Sequence, residues 1–479
     1  MNTWLPKLTR GDEPKYRAIS QAYAQAICNG QLPPGEKLPA HRVLARELNV
    51  TTGTVSRAYA ELERSGLAIA RVGDGTYVAE FDRGATPSAA SFDTRAGRHT
   101  DDTATALPLA GTPRPIDLGQ NIPVSTQEAR ALGATLRDIA ADERLAGELL
   151  LYQPEAGRRS HREAGARWFA QMGSAGPAER VLVTQGAQHA LACVLRAVLR
   201  PGDTIFAEAL SYPGILALAR QLRLNLVGIE IDDEGLVPVA LERACGLLAP
   251  RALFCVPTLH NPTTATMTDA RRRAIADIAL RHNLMVIEDL VPAAVLGRPP
   301  QPIAALLPEH GIAISGFSKA VAPGLRIGYV QAPQDWVGKI VAVIRSDCWM
   351  TAPLAAEIVT RWIDGGEIER LIALQRERIA TQHTIAADEL AGIPYRTDPA
   401  SAHLWLSLAE PWRAAEFAVA LRQAGVLVKT ADSFVIGRGS APHAVRISMS
   451  GARTVESLRD GLRIVARTLR NGPEGMYSA

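Results

Sequence analysis

The sequence predicts an α/β protein in two parts, a small helical head closed by a hairpin and a large body of alternating strands and helices. Three observations carry this. Residues 1–80 hold three short stretches of helical periodicity followed by a Gly-Asp-Gly turn. Residues 81–114 change to Thr, Ser, Ala, Gly, Arg, Asp and Pro with little periodicity. From Ile116 onward, apolar runs of strand length alternate with amphipathic segments, the pattern of a sheet flanked by helices.

The chain has 479 residues, 47% hydrophobic and 21% charged, which suits a globular protein of two or more domains. A net charge of +3 neither requires nor excludes nucleic acid. The five cysteines are scattered, with no CxxC or Cys/His spacing, so free thiols in a reducing cytoplasm are expected and no metal. The first residues, Met1 to Lys7, lack the apolar core of a signal peptide, and no run reaches membrane-spanning length. The expected location is the cytoplasm, with no membrane partner.

In the head, Ile19, Ala22, Tyr23, Ala26 and Ile27 recur at helical spacing, and Asn29-Gly30 ends that helix. A second helix opens at Leu38-Pro39-Ala40-His41-Arg42 and runs through Leu44, Ala45 and Leu48. Thr51 or Thr52 caps a third, which turns Val55, Ala58, Tyr59 and Leu62 inward. Its outer face offers Thr52, Thr54, Ser56 and Arg57. Two helices joined by a tight turn, with short hydrogen-bonding side chains at the start of the second, form a DNA-reading arrangement. Leu67 to Val78 then reads as a hairpin with Arg71 beside its Gly73-Asp74-Gly75 tip, the wing of a winged helix. Residues 81–114 cannot bury enough apolar area to fold, and are expected to be a flexible linker long enough to let the head reach another subunit.

In the body, strands are expected at Val181–Val183, Thr204–Ala207, Leu226–Ile229, Ala252–Val256 and Leu284–Ile287, with helices at Gln188–Leu199 and Asp269–His282 between them. Functional residues of such sheets sit where strands end. Three ends stand out: Thr184-Gln185-Gly186-Ala187-Gln188, whose backbone amides suit a phosphate; His260-Asn261-Pro262; and Glu288-Asp289. Ser315-Gly316-Phe317-Ser318-Lys319 reads as a turn between two strands, with Arg326 seven residues beyond the lysine. A lysine in a close-packed turn is partly desolvated, which favours its nucleophilic amine, and an arginine grips phosphate with two prongs. Lysine plus phosphate clamp is what pyridoxal phosphate requires.

Two resemblances follow. Gly35–Arg42, Leu48–Val55 and Gly73–Val78 closely resemble the GntR-type winged helix-turn-helix. That implies Arg42, Thr52, Thr54, Ser56 and Arg57 at phosphates and base edges of a double-stranded DNA operator, with Arg71 and Gly73 in the wing against the minor groove. The order of strand-end motifs resembles the fold-type I pyridoxal-phosphate enzymes, the aspartate aminotransferase class, over nearly all of residues 115–470. That resemblance implies a large α/β/α domain with a smaller C-terminal α+β domain. It gives the amides of Gly186, Ala187 and Gln188, with Ser318 and Arg326, to the cofactor phosphate, and Tyr212 to the ring face. Asn261 goes to the ring hydroxyl, Asp289 to the pyridine nitrogen and Lys319 to the aldimine. It also implies a homodimer in which Tyr152 reaches the neighbouring subunit's phosphate, and Arg446 as the grip on a substrate carboxylate.

A GntR head on an aminotransferase-like body is the layout of the MocR subfamily of bacterial regulators. The expected division is 1–80 head, 81–114 linker and 115–479 body. Two departures from the pattern stand in the sequence. No tyrosine follows Asp289 in Asp289-Leu290-Val291-Pro292, and Gly316 occupies a position usually Thr or Ser, which leaves Ser315 or Ser318 to compensate. The expected function is a regulator sensing pyridoxal phosphate or an amino compound. The alternatives are an active aminotransferase that kept a DNA-binding head, and a repressor whose body only dimerises.

Overall fold

The computed structural model describes residues 4–5, 15–28, 31–33, 35–64, 67–71, 75–78, 115–123, 126–437 and 439–473. The expected linker, 81–114, and the wing tip with Gly73 lie outside the described residues. Two compact units result, the first of residues 1–107 with 243–249, which holds the head, and the second, the body, of residues 108–242 and 250–479.

The head has three helices, α1 (Lys15–Cys28), α2 (His41–Glu47) and α3 (Thr52–Arg64). Ile19 and Tyr23 of α1, Leu44 of α2, and Val55, Tyr59 and Leu62 of α3 are buried together. Each such side chain contributes roughly 1.5–3 kcal/mol. Thr51 is the cap of α3, its hydroxyl accepting from the Thr54 N–H at 3.2 Å, and the phenol of Tyr59 donates to Pro39 O at 2.9 Å across the α2–α3 pair. The hairpin pairs Ala68–Arg71 with Gly75–Val78, Ala68 opposite Val78 and Arg71 opposite Gly75. The stretch before α2 lies along its second strand, Val78 N donating to Glu36 O and Leu38 N to Thr76 O, both at 2.8 Å.

The body is built on a seven-stranded sheet in the order Val181–Thr184, Gly328–Gln331, Gly311–Gly316, Met285–Asp289, Ala252–Cys255, Thr204–Glu208, Asn225–Ile229. Gly328–Gln331 runs antiparallel to both neighbours, and the remaining pairs are parallel. Alternate residues enter opposite cores. Val181, Val183, Ala313 and Tyr329 pack on one face, and Leu182, Ile312, Ile314 and Val330 on the other. Both faces are therefore covered, which is why these strands read as unbroken apolar runs.

The smaller part is a three-stranded antiparallel sheet, His403–Ser407, Ala444–Ser448 and Lys429–Thr430, with a core of its own shared with the Ala414–Gln423 and Val455–Asn471 helices. Leu118 belongs to that core. Ile116–Asp117 pairs with Val426–Leu427, and Ser448 N donates to Leu118 O at 2.7 Å. The beginning of the body is thereby stitched to its end, and residues 119–122 follow directly from the stitch.

Candidate functional site

The antiparallel strand brings the lysine turn and the glycine turn together. Gly328 is the register partner of both Thr184 and Gly316, so the residues just beyond those two strand ends meet above it. The approach is close enough to demand glycine: a Cβ at Gly328 would fall 2.6 Å from Gly186 C. Gly186 itself has φ +85°, and a Cβ there would come within 2.8 Å of Arg326 Nη2. The helix Ala187–Val198 starts at this point, with no side chain capping it.

Its first amides are therefore open to an anion, with one correction to the sequence expectation. The Gly186 N–H donates to Thr184 O at 2.9 Å, which leaves the amides of Ala187 and Gln188 for that role. Arg326 holds its place by donating to Gln185 O at 3.3 Å. The Gln185 N–H in turn donates to His189 Nδ1 at 3.0 Å, so His189 carries its proton on Nε2, 3.2 Å from Asp347 Oδ2 and 3.2 Å from Cys193 Sγ. That tautomer makes the His189, Cys193 and Asp347 group a hydrogen-bonded brace of the turn, since Nε2 has no lone pair to give a metal.

A cavity of about 360 Å³ opens here, lined by Ala187, Gln188, Ser318, Lys319 and Arg326 on this side. Tyr212, Asn261, Asp289 and Arg446 line it as well. The Lys319 amine donates to Asn121 O at 2.7 Å. Burial pushes that amine down to about 8 and Arg446 adds to the fall, while Asp289 opposes it. Burial pushes the Asp289 carboxyl up to about 6, against the Val291 N–H and the Lys319 charge; that N–H reaches Oδ1 at 2.9 Å. Each group is thus driven toward its neutral form by desolvation.

Tyr212 stands just before the Pro213–Gln221 helix, with no capping bond from its side chain, and burial raises its phenol. Its turn is fastened by Glu208, a fully buried acid that accepts from Ser211 Oγ at 3.2 Å and from Val256 N at 2.8 Å. Arg446 donates to Asn261 Oδ1 at 2.8 Å and to Gly119 O at 2.5 Å, and lies over the Phe434 ring at 5.0 Å. The two serines weighed against Gly316 are told apart by their partners. Ser315 is buried and accepts from Trp168 Nε1 at 2.9 Å, whereas Ser318 faces the cavity. Pro292 lines the wall where a tyrosine was missed. Tyr152 is not in this lining; it is 81% exposed and packs on Trp349, ring centres 5.8 Å apart.

Several lining residues escape sequence reading. Gly119 and Asn121 act through main-chain oxygens, which no side-chain pattern marks. His403 and Lys429 also line the cavity, on strands of the smaller sheet. Burial and the nearby Arg446 hold the His403 ring well below the usual range, hence neutral.

On the head, Arg42, Thr52, Ser56 and Arg57 are exposed. Arg57 stacks on Tyr16, 4.2 Å from the ring centre, and Ser56 Oγ lies 3.3 Å from His41 Nδ1. Thr54 is half-buried and its hydroxyl pairs with Thr51 Oγ1 at 2.9 Å, so it faces outward less than its neighbours. Arg71 ends the first hairpin strand.

Residues 15–78 match the bacterial regulatory proteins of the gntR family, and residues 113–464 match aminotransferase class I and II. The HTH-type transcriptional regulator YdeF of Bacillus subtilis is 30% identical over 98% of this chain and 97% of its own. The chain belongs to the MocR-type GntR regulators. Another relative of this MocR-type regulator is the vitamin B6 salvage pathway transcriptional repressor PtsJ of Salmonella typhimurium, 27% identical over 90% of this chain and 93% of that one. Among solved structures, an archaeal alanine:glyoxylate aminotransferase overlays 75% of the chain, and 91% of its own, with a TM-score of 0.68 at 22% identity. That likeness establishes the aminotransferase fold of the regulator's body. Among the described residues, no helix is long and apolar enough to cross a membrane.

Proposed function

We propose that this MocR-type regulator binds pyridoxal phosphate in the body cavity and lets that site, with or without an amino compound, govern how the head engages its operator. The observation that carries the reading is the meeting of Lys319, Asp289, Arg326 and an uncapped helix start in one cavity. The residues fit the group. The amides of Ala187 and Gln188, with Ser318 and Arg326, suit a phosphate, and the glycine at 186 leaves the room that a Cβ would fill.

When bound, the cofactor supplies an aldehyde that condenses reversibly with amines and a ring that withdraws electrons. Asp289 would hold the proton on the ring nitrogen, Tyr212 cover the ring face, Asn261 meet the ring hydroxyl, and Lys319 offer its amine. Pro292 supports regulation over transamination, because it brings no phenol to the ring hydroxyl. A relative named for vitamin B6 salvage supports the cofactor itself as one signal. The division into head 1–80, linker 81–114 and body 115–479 belongs to the same reading, as does a cytoplasmic location. So does a homodimer: Leu150 and Leu151 are exposed beside Tyr152, an apolar strip that a second copy would cover.

An amino acid captured here would set its carboxylate on Arg446, displacing the carbonyl and amide contacts this side chain now makes. The test is operator binding by the purified chain with pyridoxal phosphate and a panel of amino acids, read by fluorescence anisotropy beside the visible spectrum. Arg446→Ala is expected to lose the effector's influence on operator affinity, a coupling of about 1–3 kcal/mol. An unchanged response at unchanged effector concentration would remove carboxylate capture from the switch. In the head, Arg57→Ala is expected to weaken operator binding by about 1–3 kcal/mol if it reads a base, or to lower the salt slope by roughly one if it meets a phosphate. A footprint and salt dependence like those of the parent would take Arg57 off the DNA surface.

A further inference from the structure

Lys319 is held by a residue that no strand-end motif contains. Its amine donates to the main-chain oxygen of Asn121 at 2.7 Å. The side chain of Asn121 is tied on both sides: Ser450 Oγ donates to its Oδ1 at 2.7 Å, and its Nδ2 lies 3.5 Å from His403 Nδ1. Ser450 and His403 are both buried. With Oδ1 accepting, Nδ2 is the donor, so His403 must present an unprotonated Nδ1. The neutral state that burial imposes on that ring satisfies the requirement.

The stretch before Asn121 is braced as well. Asp117 Oδ1 accepts from Gly119 N at 2.8 Å and Gln120 N at 3.3 Å, turning the chain toward the cavity. The carbonyl of Asn121 therefore stands on a short, multiply tethered segment, and its position is set by contacts other than the one to Lys319.

We propose that Asn121 is a positioning residue for Lys319: its main-chain oxygen orients the amine and sustains its charged form, and Ser450 and His403 fix where that oxygen stands. This rests on the reading that Lys319 is the amine that captures the cofactor, and it adds what sets that amine's readiness. A hydrogen bond accepted from an ammonium favours the charged state. Asn121 thus works against the desolvation that drives Lys319 toward neutrality. It also points the amine at the N-terminal segment until another partner takes it.

The test uses the full chain without cofactor, so it does not depend on loading. The sequence has six lysines, at 7, 15, 37, 319, 339 and 429, which makes competitive acetylation with acetic anhydride readable peptide by peptide in a mass spectrometer. Lys339 is exposed and serves as the reference, and Lys429, on the cavity wall with its stem packed near Gly119, reports general loosening around the segment. Asn121→Ala frees the carbonyl to wander, and is expected to raise the acetylation rate of Lys319 at pH 7 by about three- to tenfold over Lys339, with Lys429 unmoved. Ser450→Ala, which leaves the segment's own sequence intact, is expected to move Lys319 the same way by less. A Lys319 profile unaltered in both variants overturns the proposal. An equal rise at Lys429 also overturns it, because the cavity would then merely have loosened. Visible spectra of the same preparations with pyridoxal phosphate judge the cofactor reading separately: a chain that never captures it defeats that reading and leaves the acetylation result standing.

Discussion

Lys319→Ala is expected to abolish the adduct that borohydride fixes between pyridoxal phosphate and the protein, a loss of the whole signal rather than a fraction of it. Only the unprotonated amine attacks an aldehyde. With Lys319 pushed down to about 8, the rate of cofactor uptake by the unsubstituted chain is expected to rise about tenfold per pH unit below that value and level off above it. The same depression has a sign for stability. The unfolded chain holds the lysine proton up to the ordinary value of 10.5, so the desolvation penalty is fully present below about 8 and is relieved as pH rises toward 10.5. Lys429 lines the same cavity, and an adduct that persists in Lys319→Ala at that residue would overturn the assignment of the amine. The measurement is peptide mapping after reduction.

The largest loss of stability is expected from Arg272→Ala. Arg272 sits on the Asp269–Arg281 helix and is only 1% exposed. It donates to Pro257 O at 2.9 Å, Thr258 Oγ1 at 2.7 Å and Met267 O at 3.1 Å, closing both ends of the loop that carries Asn261. Its Nη1 also lies 3.6 Å from Glu288, an acid that burial raises to about 7. Removing one member of a buried pair strands the other and withdraws the guanidinium from three acceptors, of which Pro257 O keeps a second donor, the Met267 N–H at 2.9 Å. The expected destabilisation is about 3–5 kcal/mol, read from urea unfolding. Adding Glu288→Gln should recover part of it, since the stranded charge is then gone. A loss below about 1 kcal/mol would mean that water reaches the guanidinium's place and satisfies those carbonyls.

Arg272 also illustrates what a sequence can disclose. It stands in the middle of Arg271-Arg272-Arg273. The first pairs with Asp232, the second is buried, and the third is exposed. Helical periodicity allows one of the three to face inward but does not say that an arginine would be tolerated there, because the carbonyls that satisfy it come from a loop folded onto the helix. Short-range features were legible for the opposite reason. The Gly186 turn, Asp289 and Lys319 each stand at or just past the end of an apolar strand, so the pattern that predicts the strand also locates its end. Ser315 and Ser318 were not separable, since their difference lies in Trp168, far off in the chain. Nor was the spent Gly186 amide, which depends on local dihedral angles. The segment 116–121 was out of reach altogether. Its strand is two residues long, and it pairs with Val426–Leu427, some three hundred residues away.

That segment gives Gly119 O to Arg446 and Asn121 O to Lys319, and along the chain it is the first described stretch of the body after the head. Both acceptors are peptide carbonyls, which every amino acid supplies. A point substitution can stiffen, slacken or shift them, but it cannot delete them. Substitutions in this stretch can therefore retune how firmly the site holds residues 119–121, but the two acceptors themselves belong to the main chain and persist through any such exchange.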